Sequence, residues 1–383
     1  MKRLALLFCI AAILGIVRPS QAGEFSTEPV KKDGKKWRIG YYEGGPYIDY
    51  KKNFQAAVQG LMALGWIEAA PLPSTEGEST KPLWQWLSGK ARSDYLEFVT
   101  DAHYSADWNE TLREELAAKL MNRLSPTPDI DLMLALGTWA GQDMANDAHR
   151  VPTIVMGTGD PIASNIIQSA EDSGRDHIHA RVDPYRYERQ IRIFHDIIGF
   201  QKLGIAFEDT VAGRSYSAVD KATALAGEQG FEIVECHTLS DVEDVSKAEE
   251  SVRNCFEKFG EEADAVYVTV QGGVSLGNIP KLVRIANSHR LPTFSQSGSD
   301  EVKYGFLMSI SLAGHKYVGQ FYAETIAKVL NGAKPRQLEQ VFEDPPKIAI
   351  NLRTAEIIGY DPPVDVLGAA DEIYQTIAEP KSR

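Results

Sequence analysis

The feature that most constrains this chain is a repeated pairing. A short uninterrupted apolar run is followed, again and again, by a stretch with apolar residues at helical spacing. Trp37 to Tyr42 reads as a strand, and Phe54, Ala57, Val58, Leu61 and Leu64 then stripe a helix. Leu96 to Thr100 is a second strand, followed by Leu112, Leu116, Leu120 and Leu124 on a helix that stops before Pro126. Asp131 to Leu136 and Pro152 to Met156 complete a first set of strands, and their continuous apolar character suits strands covered on both faces. A second set runs through Leu203 to Phe207, Phe231 to Cys236, Ala265 to Val270, Thr293 to Ser295 and Phe306 to Ile310, with helical stripes between. Strand and helix alternating in this way predict α/β architecture with two doubly wound parallel sheets. No residue-level repeat relates the two sets.

The remaining segments add to this frame. A long helix is predicted from about Tyr317 to Leu330, ended by Asn331-Gly332. Ile348, Ile350 and Leu352 alternate as a strand, and Val364, Leu367 and Ile373 suggest a closing helix. Between Glu68 and Asp94 lies an interruption carrying Pro71, Pro73, Pro82 and Trp84-Gln85-Trp86-Leu87. So long a connection is either functional or a packed excursion. Aromatic anchoring of the insert to the first half is the simpler expectation.

Residues 1–22 read as a secretory signal. Met1-Lys2-Arg3 is basic, Leu4 to Val17 is an apolar stretch of 14 residues, and Ser20-Gln21-Ala22 offers a small-x-small cleavage site. The apolar stretch is short for a membrane span. Cys9 sits behind bulky Phe8, which is not the setting of a lipid-modified cysteine. A freely soluble, exported, periplasmic protein is the expectation. Cleavage after Ala22 removes three cations and no acid, so the net charge of −13 becomes −16. That balance excludes a nucleic-acid partner, because phosphate binding needs clustered Lys and Arg. With 43% hydrophobic residues among 383, the chain can also bury a core, which excludes disorder.

Cys236 and Cys255 are the two cysteines beyond the leader. In an oxidising compartment they are a candidate disulfide; otherwise they are two buried thiols acting as small hydrophobes.

In doubly wound sheets, ligands sit outside the carboxyl ends of the strands. The loops there supply the candidate ligand-binding residues. After the first strand come Tyr42, Glu43 and Tyr47; after the third, Gly137, Thr138 and Trp139; after the fourth, Thr158 and Asp160. The second half supplies Asp209, Gln271, Gly272 and Ser297. These hydroxyl, amide, carboxylate and aromatic groups suit a small polar or aromatic solute. Asp160 before Pro161 is equally a turn or cap residue. Catalytic motifs are missing. Gly213-Arg214-Ser215-Tyr216-Ser217 lacks the second glycine of a nucleophile elbow. No phosphate-binding or dinucleotide loop is present. His177 and His179 pair on one strand face without a third ligand, so no metal and no cofactor is expected.

Four segments carry a family resemblance. Gly159-Asp160-Pro161-Ile162 is similar to an Asp-Pro-Val turn, and Ala263 to Val268 to a second-lobe strand. His315 to Gln320 sits at a helix start, and Ile348-Ala349-Ile350-Asn351-Leu352-Arg353-Thr354-Ala355 is close to a Val-Ile-Asn-Leu-Lys-Thr-Ala signature. Together, over about residues 37–376, they resemble the periplasmic solute-binding proteins of the "ABC substrate binding" family, which includes tryptophan- and tyrosine-binding members. The resemblance implies a type I periplasmic-binding fold with a multi-strand hinge, its lobes about 35–182 plus 309–338 and 183–308 plus 339–377. It also implies a monomer that closes on a small, amino-acid-like solute and presents it to an inner-membrane ABC permease. A sensing module that presents its ligand to a membrane receptor or kinase is the alternative. Two departures stand out. The loop Thr269 to Val274 lacks the acid that the family often places there, and the insert at 68–94 is additional.

Overall fold

The computed structural model describes residues 25–74, 76–312, 315–343 and 346–380. The leader read in residues 1–22, Cys9 included, lies outside the described residues. Five strands form the first sheet: β1 (Trp37–Glu43), β2 (Leu96–Ser105), β3 (Leu132–Leu136), β4 (Thr153–Met156) and β5 (Ile178–Ala180). They lie in the order β2-β1-β3-β4-β5, every neighbouring pair parallel. The second sheet holds β6 (Lys202–Phe207), β7 (Glu232–His237), β8 (Ala265–Val268), β9 (Thr293–Ser295), β10 (Met308–Leu312), β11 (Pro346–Asn351) and β12 (Glu372–Tyr374). Its order is β12-β11-β10-β9-β8-β6-β7. Two doubly wound α/β units result, each with helices on both faces of its sheet.

The second sheet is parallel except between β10 and β11. The reason is the path of the chain. After β10 it leaves for the first unit, builds the helix His315–Leu330 there, and returns into β11 from the same end it left. A strand begun at that end must run antiparallel to the strand that finished there. Ile373 lies in β12, not in a closing helix, because the helix Val364–Ala369 ends before it.

Helix His315–Leu330 belongs to the first unit by packing. It lies against Ile48–Ala63 so closely that a Cβ on Gly60 would sit 2.6 Å from Ala323 Cβ, and one on Gly319 would sit 2.5 Å from Ala56. Glycine at both positions is what lets two helices more than 250 residues apart in sequence meet backbone to backbone. Val318, Tyr322 and Ile326 complete the contact inside the core of the first unit.

The excursion at 68–94 is packed. It forms the helix Lys81–Gly89, with Trp84 1% exposed. The Trp84 ring lies edge-on to Phe98 at 5.6 Å and near Tyr41 at 5.7 Å, and its Nε1 donates to the Val99 carbonyl. Cys236, in β7, and Cys255, in the helix Val245–Glu262, are disulfide-bonded. Trp84→Ala should therefore lower the stability of the chain by about 3–5 kcal/mol in urea unfolding. Trp86→Ala, at a half-buried position, should cost clearly less.

Candidate ligand-binding cleft

The carboxyl ends of the two sheets face one another. A cavity of about 540 Å³ lies between the loops they carry, walled by Trp108, Arg113 and Trp139 from the first unit and by Glu208, Ala212 and Asp241 from the second. That volume suits a small solute.

The first wall is held rigidly. Trp108 has φ of 58°, and Asp107 before it φ of 49°, a left-handed pair that is unfavourable for non-glycine residues. The pair is pinned by two hydrogen bonds: the Trp108 amide donates to the Gly44 carbonyl, and its Nε1 donates to Pro46 at 3.0 Å. Trp139, in the helix Gly137–Met144, meets Trp108 edge-on at 5.6 Å. Its other partner is the Arg113 guanidinium, 4.7 Å from the ring centre. Arg113 grips Asp143 with two nitrogens, and Asp143 also accepts from the Tyr42 hydroxyl at 2.7 Å. Tyr42 is thus fully buried one layer behind the wall and fixes Arg113 through Asp143.

Gly137 makes room for Tyr50. Its φ is 86°, and a Cβ there would lie 1.9 Å from the Tyr50 hydroxyl. The Thr138 main chain hydrogen-bonds with Tyr50, and Tyr47 packs edge-on to Tyr50 at 5.2 Å. The Thr158 hydroxyl is buried with no hydrogen-bond partner among the described residues.

From the second unit, Ala212 and Tyr216 pack on Ala106 and Trp139, so one small apolar cluster spans both units. Ion pairs flank it. Lys52 reaches Asp300 at 2.9 Å, and Lys221 reaches Asp160 at 2.6 Å, each across the boundary. Asp160 also accepts from the amides of Ile162 and Ala163, so it is both a turn cap and half of a bridge between units. Asp209 is half-exposed and paired with Arg214, while its neighbours Glu208 and Thr210 line the cavity.

Four other predicted residues, Glu43, Gln271, Gly272 and Ser297, do not line the cavity and are engaged in contacts of their own. Glu43 is buried and accepts from Tyr41 at 2.6 Å and from Thr80 at 2.8 Å, on the face covered by the insert. Gln271 is engaged at both ends, accepting from Thr238 and donating to the Ala206 carbonyl and to Thr269. Gly272 donates to Ser240, whose carbonyl would lie 2.4 Å from an added Cβ. Ser297 hydrogen-bonds with Glu301. His177 and His179 meet the carbonyls of Asn146 and Glu339.

Sequence reasoning passed over Trp108, Arg113, Tyr216 and Asp241. The strand read as ending at Thr100 runs on to Ser105, so the loop that follows it carries Trp108 and lies at the cleft. The loop after β7 carries Asp241 in the same way.

Asp241 carries the most perturbed carboxyl lining the cavity. Burial, and then the neighbouring Glu208, push its carboxyl up to about 7, opposed by hydrogen bonds from Ser240 and Tyr216 and by the charge of Arg113. A group whose folded pKa exceeds its unfolded value, about 3.9, binds more protons when folded. Its contribution to stability is full below about pH 4 and is lost as pH rises to 7. Histidines 177 and 179, lowered to about 4 by burial, act with the opposite sign below their unfolded value. A variant isolates the acid: Asp241→Asn should gain on the parent by about 2–3 kcal/mol between pH 5 and pH 8. Urea unfolding at the two pH values measures this, and a pH-independent difference would show that the carboxyl is ordinary.

A family model described as ABC transporter substrate binding protein matches residues 103–374. Among solved structures, an ABC domain in complex with L-Trp from Streptococcus pneumonia is similar at TM-score 0.67 and 18% identity, covering 88% of this chain and 100% of that one. A conserved domain protein from Vibrio cholerae is similar at TM-score 0.65 and 19% identity, again covering 88% and 100%. The ligand-free, open form of a substrate-binding protein with adhesive properties from Clostridium difficile follows at TM-score 0.58 and 17% identity, covering 89% and 100%. No curated protein matches the sequence significantly. Among the described residues no helix is long and apolar enough to cross a membrane, and no cluster of three or more metal-ligating side chains occurs.

Proposed function

The chain belongs to the family of ABC transporter substrate-binding proteins, and from that premise we propose that it captures a small polar or aromatic solute between its two lobes and delivers it to an inner-membrane ABC importer. It acts in the periplasm, as a monomer, after loss of residues 1–22, and it releases the solute chemically unchanged. We draw the lobe exchanges near 182–186, 312–315 and 341–346. β10 thereby joins the second lobe, in whose sheet it is hydrogen-bonded.

The observation that carries this reading is the cavity between Trp108 and Trp139 on one side and Ala212 and Asp241 on the other. A solute there touches both lobes only when they are together, so it stabilises the closed arrangement by its differential contacts. The two ion pairs, Lys52–Asp300 and Lys221–Asp160, give the closed arrangement contacts of its own. The Lys52–Asp300 pair is solvent-exposed on its acid side and worth little by itself, whereas Asp160 is buried in its pair with Lys221. The aromatic walls, and the L-Trp described in the similar pneumococcal domain, favour a solute with a flat or amino-acid-like part.

Refolded protein, freed of carried-over solute, should show a saturable rise in melting temperature with one class in a panel of amino acids, aromatic acids, amines, nucleosides and sugars. A solute that binds only the folded state adds about 2.7 kcal/mol at a hundred times its Kd. Trp139→Ala should weaken that binding by about tenfold or more, the order of an aromatic contact with its packing. Recovery of a chemically altered compound would make the protein an enzyme. A panel with no shift would remove solute capture as its role.

A further inference from the structure

The cleft is not electrically neutral, and the imbalance selects among solutes. Among the described residues Glu110, Glu208, Asp241 and Glu243 line it, against the single lining cation Arg113. Arg113 is already held in two-point contact by Asp143 and covered on one face by Trp139. An anion entering here would lose its hydration beside the carboxylates of Glu110, Glu208 and Glu243 and the Asp241 carboxyl, which only strong pairing could offset. A zwitterion leaves the imbalance in place, and its carboxylate would have to share Arg113 with Asp143. Asp241 is differently disposed. Its Oδ1 accepts from Ser240 at 3.1 Å and from Tyr216 at 3.4 Å, while no hydrogen bond reaches Oδ2 among the described residues. Opposite stand two indoles, the aromatic side chain best suited to hold a cation or the apolar body attached to it.

Resting on the solute-binding reading above, we propose that the cleft selects an organic cation without a carboxylate, its ammonium at Asp241 Oδ2 beside Glu208 and its apolar body against Trp108 and Trp139. Binding would bring one positive charge into a site with an excess of negative ones, and would draw the acidic wall of the second lobe toward the aromatic wall of the first.

Three probes with one ring and different charge test this by calorimetric titration of the refolded protein: phenethylamine, L-phenylalanine and phenylacetate. Phenethylamine should bind about tenfold or more tightly than L-phenylalanine, with phenylacetate undetectable, as one partly desolvated ion pair implies. Raising the salt to about 0.5 M should weaken phenethylamine severalfold. In Asp241→Asn, shown folded by its unliganded melting curve, the preference for the amine should vanish. Equal or tighter binding of L-phenylalanine or phenylacetate would overturn the cation assignment while leaving solute capture intact. Silence from all three probes would overturn it too, and solute capture would then stand or fall on the wider panel. A preference that survives in folded Asp241→Asn would remove Asp241 as the partner of the charge.

Discussion

The arrangement depends on one close helix contact. Ile48–Ala63 and His315–Leu330 meet through Gly60 and Gly319, where any side chain would collide with the opposite helix. Because the later helix must seat in the first unit, the chain has to leave the second sheet after β10 and come back for β11. That return reverses β11 and ties the two units by three chain segments. Several parallel connections of this kind permit hinge motion while restricting sliding and separation. The lobes therefore meet along the edge where both sheets present their carboxyl ends.

What meets at that edge is physically mixed. Trp108, Trp139, Ala212 and Tyr216 supply apolar area, which favours closing without specifying a ligand. Asp241, Glu208 and Arg113 supply charge, on which the proposed selectivity rests. The first wall is stiffened by layers behind it: Tyr42 fixes Asp143, Asp143 fixes Arg113, and Arg113 lies over Trp139. The residues behind the wall do not touch the cavity, yet they fix the geometry of those that do.

Much of this was legible from residue order. Apolar runs such as Leu132–Leu136 and Ala265–Val268 have no polar face and could only be central strands. Knowing that loops after such strands hold ligands then led to Trp139 directly. The same logic went astray where a strand was longer than its apolar run. In β2 the exposed Thr100 and Asp101 break the pattern, but the strand continues through the buried Ala102 and Tyr104. Its loop, with Trp108, was therefore hidden. Tyr42 and Gln271 were visible as strand-end residues, but sequence carries no sign that their polar ends are occupied by Asp143 and Thr238.

By itself, then, the sequence determined the two-unit α/β architecture, because alternation of buried strands and amphipathic helices is a local property written in successive residues. It also pointed to the loops at the carboxyl ends of the strands, several of which the structure brings together around the cavity. Only the tertiary structure decided which loop residues face the cleft and which support them, that the insert at 68–94 packs through Trp84, and that Asp241 stands opposite two tryptophans. Those facts rest on contacts between segments far apart in the chain. Such contacts depend on distances of a few ångströms between side chains, and residue order does not encode them locally.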